Sequence, residues 1–160
     1  MRQRQPTSLR SLDCIFAQAV QEVFQQKGFD MATNVKSMME EANAAVQRVS
    51  PAEAKALIAK GALVVDVRDA PEVEKSGKVA GSAHVSRGML EFRADPASPY
   101  HDKRFDKDKP VIVYCASGGR SALSGKALKD LGFTKVYNLG AYKDWVESGG
   151  EVERPIEAGM

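Results

Sequence analysis

Apolar residues recur at helical spacing in two stretches of the first 49 residues. One stretch runs from Leu12 to Phe24 with Gly28 after it, and the other runs from Asn34 to Val49. Each pattern predicts an amphipathic helix whose apolar stripe packs on another surface, and neither polar face is rich in Lys or Arg. We therefore predict an N-terminal helical extension over residues 1–49, and a homodimer formed through these helices is a hypothesis.

From residue 50 onward the pattern changes to short apolar runs that alternate with helical segments. Ser50-Pro51-Ala52-Glu53 has the form of a capping box, and Gly61 would end the helix that follows. The alternation predicts an α/β domain over residues 50–155, with a mostly parallel central sheet flanked by helices, and a tail at 156–160. Strands are predicted at 62–67, 79–85 (the weakest), 111–114 and 135–139, further helices at 121–131 and 142–147, and a polar loop at 95–109.

Composition narrows the class of protein. A chain of 160 residues with 43% hydrophobic and 28% charged residues suits one globular domain. The formal net charge of +2 is spread over both signs, which argues against nucleic-acid binding. No apolar run approaches the roughly 20 residues that a membrane span needs. We expect a cytoplasmic protein with no membrane partner.

The cysteines and the N-terminus add two expectations. Two cysteines, Cys14 and Cys115, are too few for a disulfide framework or a zinc site, and no cofactor or metal is expected. Cys14 falls on the apolar side of the first helix and reads as a small hydrophobic residue. A composition break at Met31 suggests the hypothesis that residues 1–30 are an upstream extension.

The segment from Val111 to Leu131 carries the candidate chemistry. It reads as a strand, a glycine-containing loop and a helix, with Cys115 at the carboxyl end of the strand, where ligands bind in open α/β sheets. Gly118 and Gly119 allow the loop to curl, so that successive N–H groups and the start of the helix near Ser121 face one point. This arrangement predicts a small anion cradle around a sulfur atom.

The same positive field acts on the thiol. Helix N-termini and nearby cations lower the pKa of cysteine, and Arg120 is the nearest cation in sequence. Cys115 is therefore predicted to be a thiolate nucleophile at neutral pH. Arg120 would either orient an anionic substrate or point outward to a carboxylate; both remain open.

Cys115-Ala-Ser-Gly-Gly-Arg120-Ser121 resembles the active-site loop of single-domain rhodaneses. Three further segments agree with that family in order and spacing over residues 50–154. They are Leu63-Val-Val-Asp66-Val67-Arg68 with Glu72, Gly77-Lys-Val-Ala-Gly81-Ser-Ala-His84-Val85, and Val136-Tyr-Asn-Leu-Gly140 through Trp145 to Gly149. One departure is that Ala116 stands where some thiosulfate-preferring members carry a second basic residue.

The resemblance implies a sulfurtransferase. Cys115 would take sulfane sulfur from a small anionic donor (thiosulfate, 3-mercaptopyruvate or a persulfide), become a persulfide, and pass the sulfur to cyanide, a thiol or a protein acceptor. Cys115 and Arg120 are the expected catalytic residues. Substrate-binding residues are expected at Ala116, Ser117, Gly118, Gly119, Ser121, Asp66, Arg68 and Arg87.

Structural roles for some of these residues, and other functions for the domain, remain as alternatives to the sulfurtransferase assignment. For Asp66 and Arg68, the alternative to substrate binding is a structural role with an ion pair between Arg68 and Glu72. For Arg87, the alternative is a solvated surface residue. Cysteine phosphatases have an active-site loop of the form Cys-x5-Arg, with five residues between the two. Only four residues separate Cys115 and Arg120 here. The remaining alternative is a persulfide-carrying or regulatory rhodanese-like module with little turnover.

Overall fold

The computed structural model describes residues 33–154. The predicted helix at Leu12–Phe24, Cys14, the break at Met31 and the tail at 156–160 lie outside these residues. Within 33–154, no helix has both the length and the apolar composition that crossing a membrane requires.

Strands and helices alternate along the described chain. Helices are α1 (Val35–Ala45), α2 (Pro51–Ala59), α3 (Ala70–Ser76), α4 (Leu90–Ala94), α5 (Gly119–Asp130) and α6 (Tyr142–Glu147), with a 3₁₀ turn at Arg87–Met89. Strands are β1 (Gln47–Arg48), β2 (Leu63–Asp66), β3 (Lys78–Val79), β4 (Ala83–His84), β5 (Val111–Cys115), β6 (Val136–Ala141) and β7 (Val152–Glu153).

Five of the strands form one parallel sheet in the order β1-β6-β5-β2-β4, and β3 pairs with β7 in a separate antiparallel ribbon. Because every pair in the large sheet is parallel, the carboxyl ends of its strands lie at one edge. The predicted α/β class with a mostly parallel central sheet is confirmed. Cys115, the last residue of β5, is at that edge and at the middle of the sheet.

The central strand β5 is buried on both faces. Val111, Val113 and Cys115 contribute to one apolar cluster, and Ile112 and Tyr114 contribute to the other, as the two-residue period of a strand requires. An all-apolar run is what a strand covered on both sides needs. The site loop therefore extends from a strand whose five residues are all buried.

The helix predicted through Val49 is wrong from Val46 onward. Val46 is extended (φ −114°, ψ 116°), and Gln47 and Arg48 pair with Tyr137 and Asn138 of β6. Helix α1 therefore ends at Ala45, and the chain adds an edge strand to the sheet before residue 50. Val46 and Val49 stay buried in this extended conformation, which suits β-branched residues.

The weak strand predicted at 79–85 is two strands that belong to different sheets. A turn at residues 80–82 contains Gly81 at a φ of +73°, a conformation that favours glycine. Before the turn β3 joins β7, and after it β4 joins β2. Helix α3 was not predicted, and neither were α4 and β7, which have five and two residues and are too short for a periodic pattern.

Candidate active site

The Cys115 thiol is enclosed by its own loop. The Gly118 N–H donates to Sγ at 3.0 Å, and the Ser121 hydroxyl donates to it at 3.5 Å. Gly118 has a φ of +102° immediately before α5 begins, which turns its amide back toward the sulfur. The curled loop predicted from the two glycines has the positive φ at the first of them, so Gly118 is the position where glycine is required.

The hydrogen bonds control the charge state of the sulfur. Burial by itself raises the pKa of Cys115, but hydrogen bonds from the Ser121 hydroxyl and from main-chain amides of residues 121, 117 and 118 outweigh it, so the pKa is lowered. A lowered thiol pKa increases the thiolate fraction at neutral pH. The loop therefore supports an anionic sulfur through amides and a hydroxyl.

The rest of the loop is divided between exposed and buried positions. Ala116 and Ser117 are exposed, whereas Gly118 and Ser121 are buried and Gly119 is partly buried. The single hydroxyl proton of Ser121 is shared between Sγ and the Gly118 carbonyl, which lies at 3.0 Å, so the same group faces the sulfur and fixes the turn. Of the predicted loop residues, Ser117, Gly118 and Ser121 therefore supply hydrogen bonds to the sulfur, and the roles of Ala116 and Gly119 stay predictions.

Arg120 points to a carboxylate of α3 in this structure. Its guanidinium donates to both oxygens of Glu72, at 2.7 and 2.9 Å, and lies 3.4 Å from Asp69. Hydrogen bonding to Arg120 lowers the pKa of Glu72 to about 2. Of the two orientations left open by the sequence, the structure has the outward one.

Asp66 and Arg68 are held in a buried network. The Arg68 guanidinium donates to Asp66 at 2.6 Å and to the Gly77 carbonyl at 2.7 Å, and the Tyr114 hydroxyl donates to Asp66 at 2.7 Å. The predicted pair of Arg68 with Glu72 is therefore corrected: Arg68 bonds Asp66, because the two side chains meet at the end of β2. Both residues support the sheet edge through these bonds, neither forms a hydrogen bond with the loop sulfur, and their role toward a substrate stays a prediction.

Arg87 forms an ion pair with Glu91 one helical turn later, at 2.9 Å to each carboxylate oxygen. Its side chain is 33% exposed, and its main-chain N–H donates to the Val67 carbonyl beyond β2. The structure places Arg87 near the carboxyl edge of the sheet, and its role toward a substrate stays a prediction.

Two residues beside the loop were missed from the sequence. Asn138, buried in β6, donates to the Gly118 carbonyl at 3.3 Å and accepts from the Gly140 N–H at 2.9 Å. Its signal is a lone amide inside an apolar strand, since buried polar groups need partners. Arg48 lies over Gly118 and Gly140, and no motif in the sequence marks it.

Comparison with known proteins identifies the family of the domain. A family model described as "Rhodanese-like domain" matches residues 50–148. A thiosulfate sulfurtransferase GlpE from Ectopseudomonas mendocina (strain ymp) is 35% identical over 102 residues, covering 62% of this chain and 84% of the relative.

Two solved structures extend the comparison. A Rhodopseudomonas palustris CGA009 protein of unknown function, described as a possible tyrosine phosphatase, is 40% identical with a TM-score of 0.70 over 76% of this chain and 96% of that one. The polysulfide-sulfur transferase homodimer from Wolinella succinogenes is 32% identical with a TM-score of 0.61, over 78% of this chain and 90% of that one. Both similarities cover more of this chain than the family model does.

Proposed function

The chain belongs to the rhodanese-like domain family, and on that basis we propose that it is a sulfurtransferase that works through a persulfide on Cys115. The Ectopseudomonas relative is named for thiosulfate and the Wolinella relative for polysulfide sulfur. Both substrates are anions that contain sulfane sulfur. A small anionic donor of this kind is therefore the proposed substrate class.

The reaction follows from an enclosed thiolate. The sulfur of Cys115 attacks the outer sulfur of thiosulfate, the bond between the two donor sulfurs breaks, and its electron pair leaves with sulfite. A persulfide anion remains on Cys115. Cyanide or a thiolate acceptor then attacks the outer persulfide sulfur, and the electron pair of that sulfur–sulfur bond returns to Cys115.

The observation that carries the proposal is the hydrogen-bonded Cys115 sulfur. The Gly118 amide at 3.0 Å and the Ser121 hydroxyl at 3.5 Å are the kind of fixed donors that stabilise a localised anion. No proton has to be removed from a sulfane donor, so the absence of a general base in the proposed mechanism is chemically consistent. A cradle of this size suits a one-atom sulfur transfer.

The test is a donor panel on the full chain. Thiosulfate, 3-mercaptopyruvate and glutathione persulfide are each supplied with cyanide or a thiol acceptor, and thiocyanate, sulfide and the intact mass of the protein are measured. We expect one added sulfur atom, lost in Cys115→Ser and retained in the matched Cys14→Ser variant. Turnover that survives Cys115→Ser would contradict the assignment.

The description of the Rhodopseudomonas relative raises phosphatase activity as a rival. Only four residues separate Cys115 and Arg120, one fewer than in Cys-x5-Arg phosphatases, and the Arg120 guanidinium is bonded to Glu72. Both features disfavour a tetrahedral phosphoryl group in the loop. Hydrolysis of an aryl phosphate, together with no sulfur transfer from any donor, would reverse the assignment.

Assembly and location extend the same proposal. The Wolinella relative is a homodimer, and the N-terminal helical extension remains our candidate dimer surface. Light scattering on the full chain tests this, and a monomer would exclude it. A cysteine that must stay reduced to accept sulfur fits a reducing compartment such as the cytoplasm.

A further inference from the structure

The cation expected at the loop is already neutralised. Arg120 donates two hydrogen bonds to Glu72, at 2.7 and 2.9 Å, and also lies 3.4 Å from Asp69. Two carboxylates thus face one guanidinium. An incoming anion would meet little net positive charge there, and Ala116 supplies none at the second loop position. A second cation near the loop would therefore add to the amide donors in attracting the donor anion.

Arg48 provides a guanidinium that lies directly on the loop. A Cβ built on Gly118 would be 3.5 Å from its Nη1, and a Cβ built on Gly140 would be 2.5 Å from its Nη2. A Cβ at Gly140 would overlap the guanidinium, and a Cβ at Gly118 would be in ordinary van der Waals contact with it. Arg48 ends β1, which pairs in parallel with β6, so its side chain starts from the same sheet edge as Cys115.

Contacts through Gly118 set an upper limit on the distance between the Arg48 guanidinium and the Cys115 sulfur. Gly118 joins the two groups, because its N–H donates to Sγ at 3.0 Å and its Cβ position is 3.5 Å from Nη1. With the span of one residue between these contacts, Nη1 and Sγ are at most about 9 Å apart. An anion whose sulfur meets the thiolate can therefore place an oxygen near Arg48.

The donors of this guanidinium are available. Among residues 33–154 its one ion-pair partner is Asp144 at 3.9 Å, too far for a hydrogen bond, and these two side chains are 63% and 51% exposed. An exposed pair at this distance is weak and easily replaced. A bidentate contact with an oxyanion would be stronger than the contact it displaces.

We propose that Arg48, supplied by the edge strand β1, binds the oxyanion end of the sulfur donor and directs its outer sulfur to Cys115. This inference rests on the proposed sulfurtransferase function and names the residue that selects anionic donors. Asp144 is then a competing carboxylate that weakens donor binding. Arg48 and Asp144 should have opposite effects on the KM of the donor.

Alkylation of Cys115 tests the cation without turnover. Iodoacetate and iodoacetamide are similar in size but differ in charge, so the ratio of their rates reports the field at the thiol. In the full chain, Arg48→Ala should lower the iodoacetate rate about fivefold while the iodoacetamide rate stays within about twofold. Lys60→Ala is the matched control, because it removes one exposed charge next to the start of β2, at the opposite sheet edge.

Steady-state kinetics with thiosulfate test the substrate role. Arg48→Ala should lower kcat/KM about tenfold, mainly through KM, whereas Asp144→Asn should decrease KM about twofold. Opposite signs cannot arise from a general loss of folding, which thermal unfolding of each variant checks. The inference would be overturned if Arg48→Ala and Lys60→Ala gave the same alkylation rate ratio and the same kcat/KM for thiosulfate.

Failure of the proposed function and failure of the proposed Arg48 role would give different results. If the unaltered protein loads sulfur from no donor, the proposed function fails, and the alkylation ratio still reports whether Arg48 attracts anions to Cys115. If the unaltered protein turns over thiosulfate and neither Arg48→Ala nor Asp144→Asn changes its KM, the function stands and the role of Arg48 is refuted.

Discussion

Val46 and Gly125 lie against each other where α1 ends and α5 crosses it. A Cβ on Gly125 would be 2.7 and 2.9 Å from the two methyl groups of Val46 and 3.4 Å from a methyl of Val136. Carbon atoms at optimal separation are about 3.5–4.0 Å apart. Gly125→Ala should therefore overpack this contact, although alanine is the better helix former.

The expected change in the free energy of unfolding for Gly125→Ala is the difference between two opposing effects. Overpacking a core by one methyl costs about 2 kcal/mol, and the helix propensity of alanine over glycine returns about 1 kcal/mol. We expect Gly125→Ala to lower the free energy of unfolding by about 1 kcal/mol. Val46→Ala removes two buried methyls and should lower it by about 2 kcal/mol.

The double variant is the decisive measurement. Without the Val46 methyls the clash is gone, so Gly125→Ala should then add about 1 kcal/mol by helix propensity, and the double variant should be about 1 kcal/mol less stable than the unaltered protein. Independent effects would sum to about 3 kcal/mol. Urea unfolding resolves this difference, and Gly88→Ala, where no atom lies within 4 Å of the new methyl, is the control. Additivity within about 0.5 kcal/mol would show that Val46 does not pack on α5.

Three further variants test the loop and its supports. Against the effect of burial, the Ser121 hydroxyl helps to lower the pKa of Cys115, so Ser121→Ala should raise that pKa and shift the pH profile of iodoacetamide alkylation upward; an unmoved profile would contradict the assigned hydrogen bond. Tyr114→Phe removes the hydroxyl that donates to the buried Asp66 carboxylate at 2.7 Å. It should lower the free energy of unfolding, measured with urea, by about 1.5–3 kcal/mol. A loss below about 0.5 kcal/mol would contradict the network. Glu72 has a folded-state pKa of about 2, depressed from 4.5 by the loop arginine, so its pair stabilises the fold above about pH 4.5 and this stabilisation is lost as pH falls toward 2. Glu72→Gln should therefore cost about 1 kcal/mol at pH 7, a small value because the pair is a third exposed, and its stability curve should meet that of the unaltered protein near pH 2; parallel curves would exclude the ion pair.

The central elements were predictable because their signals are local. The capping box at Ser50 and Glu53 is present, with the Glu53 carboxylate accepting from the Ser50 N–H at 2.7 Å. The all-apolar run at Val111–Cys115 forms the central strand. A glycine-containing loop between a strand and a helix then determines where Cys115 lies, since the parallel sheet fixes which edge the loop occupies.

Charge partners were not predictable in the same way. Arg68 and Glu72 are four residues apart, which made an ion pair between them reasonable, but Arg68 lies in the bend after β2 and Glu72 lies on α3. Arg68 turns into the buried network with Asp66, and Glu72 reaches Arg120 on α5. Which acid meets which base depends on how the elements pack, and sequence spacing carries no information about that.

The end of the first described helix shows a related limit. Val46 and Val49 continue the helical stripe of α1, yet they are buried equally well in an extended chain, so periodicity could not separate the two conformations. The open edge of β6 decides between them, because its main-chain groups accept β1 as a fifth strand. That choice has a chemical consequence, because the strand in register with Asn138 places the Arg48 guanidinium against Gly140 and Gly118. Gly140 has a φ of +88°, which by itself favours glycine, and a Cβ at this position would also lie 2.5 Å from Nη2 of the guanidinium.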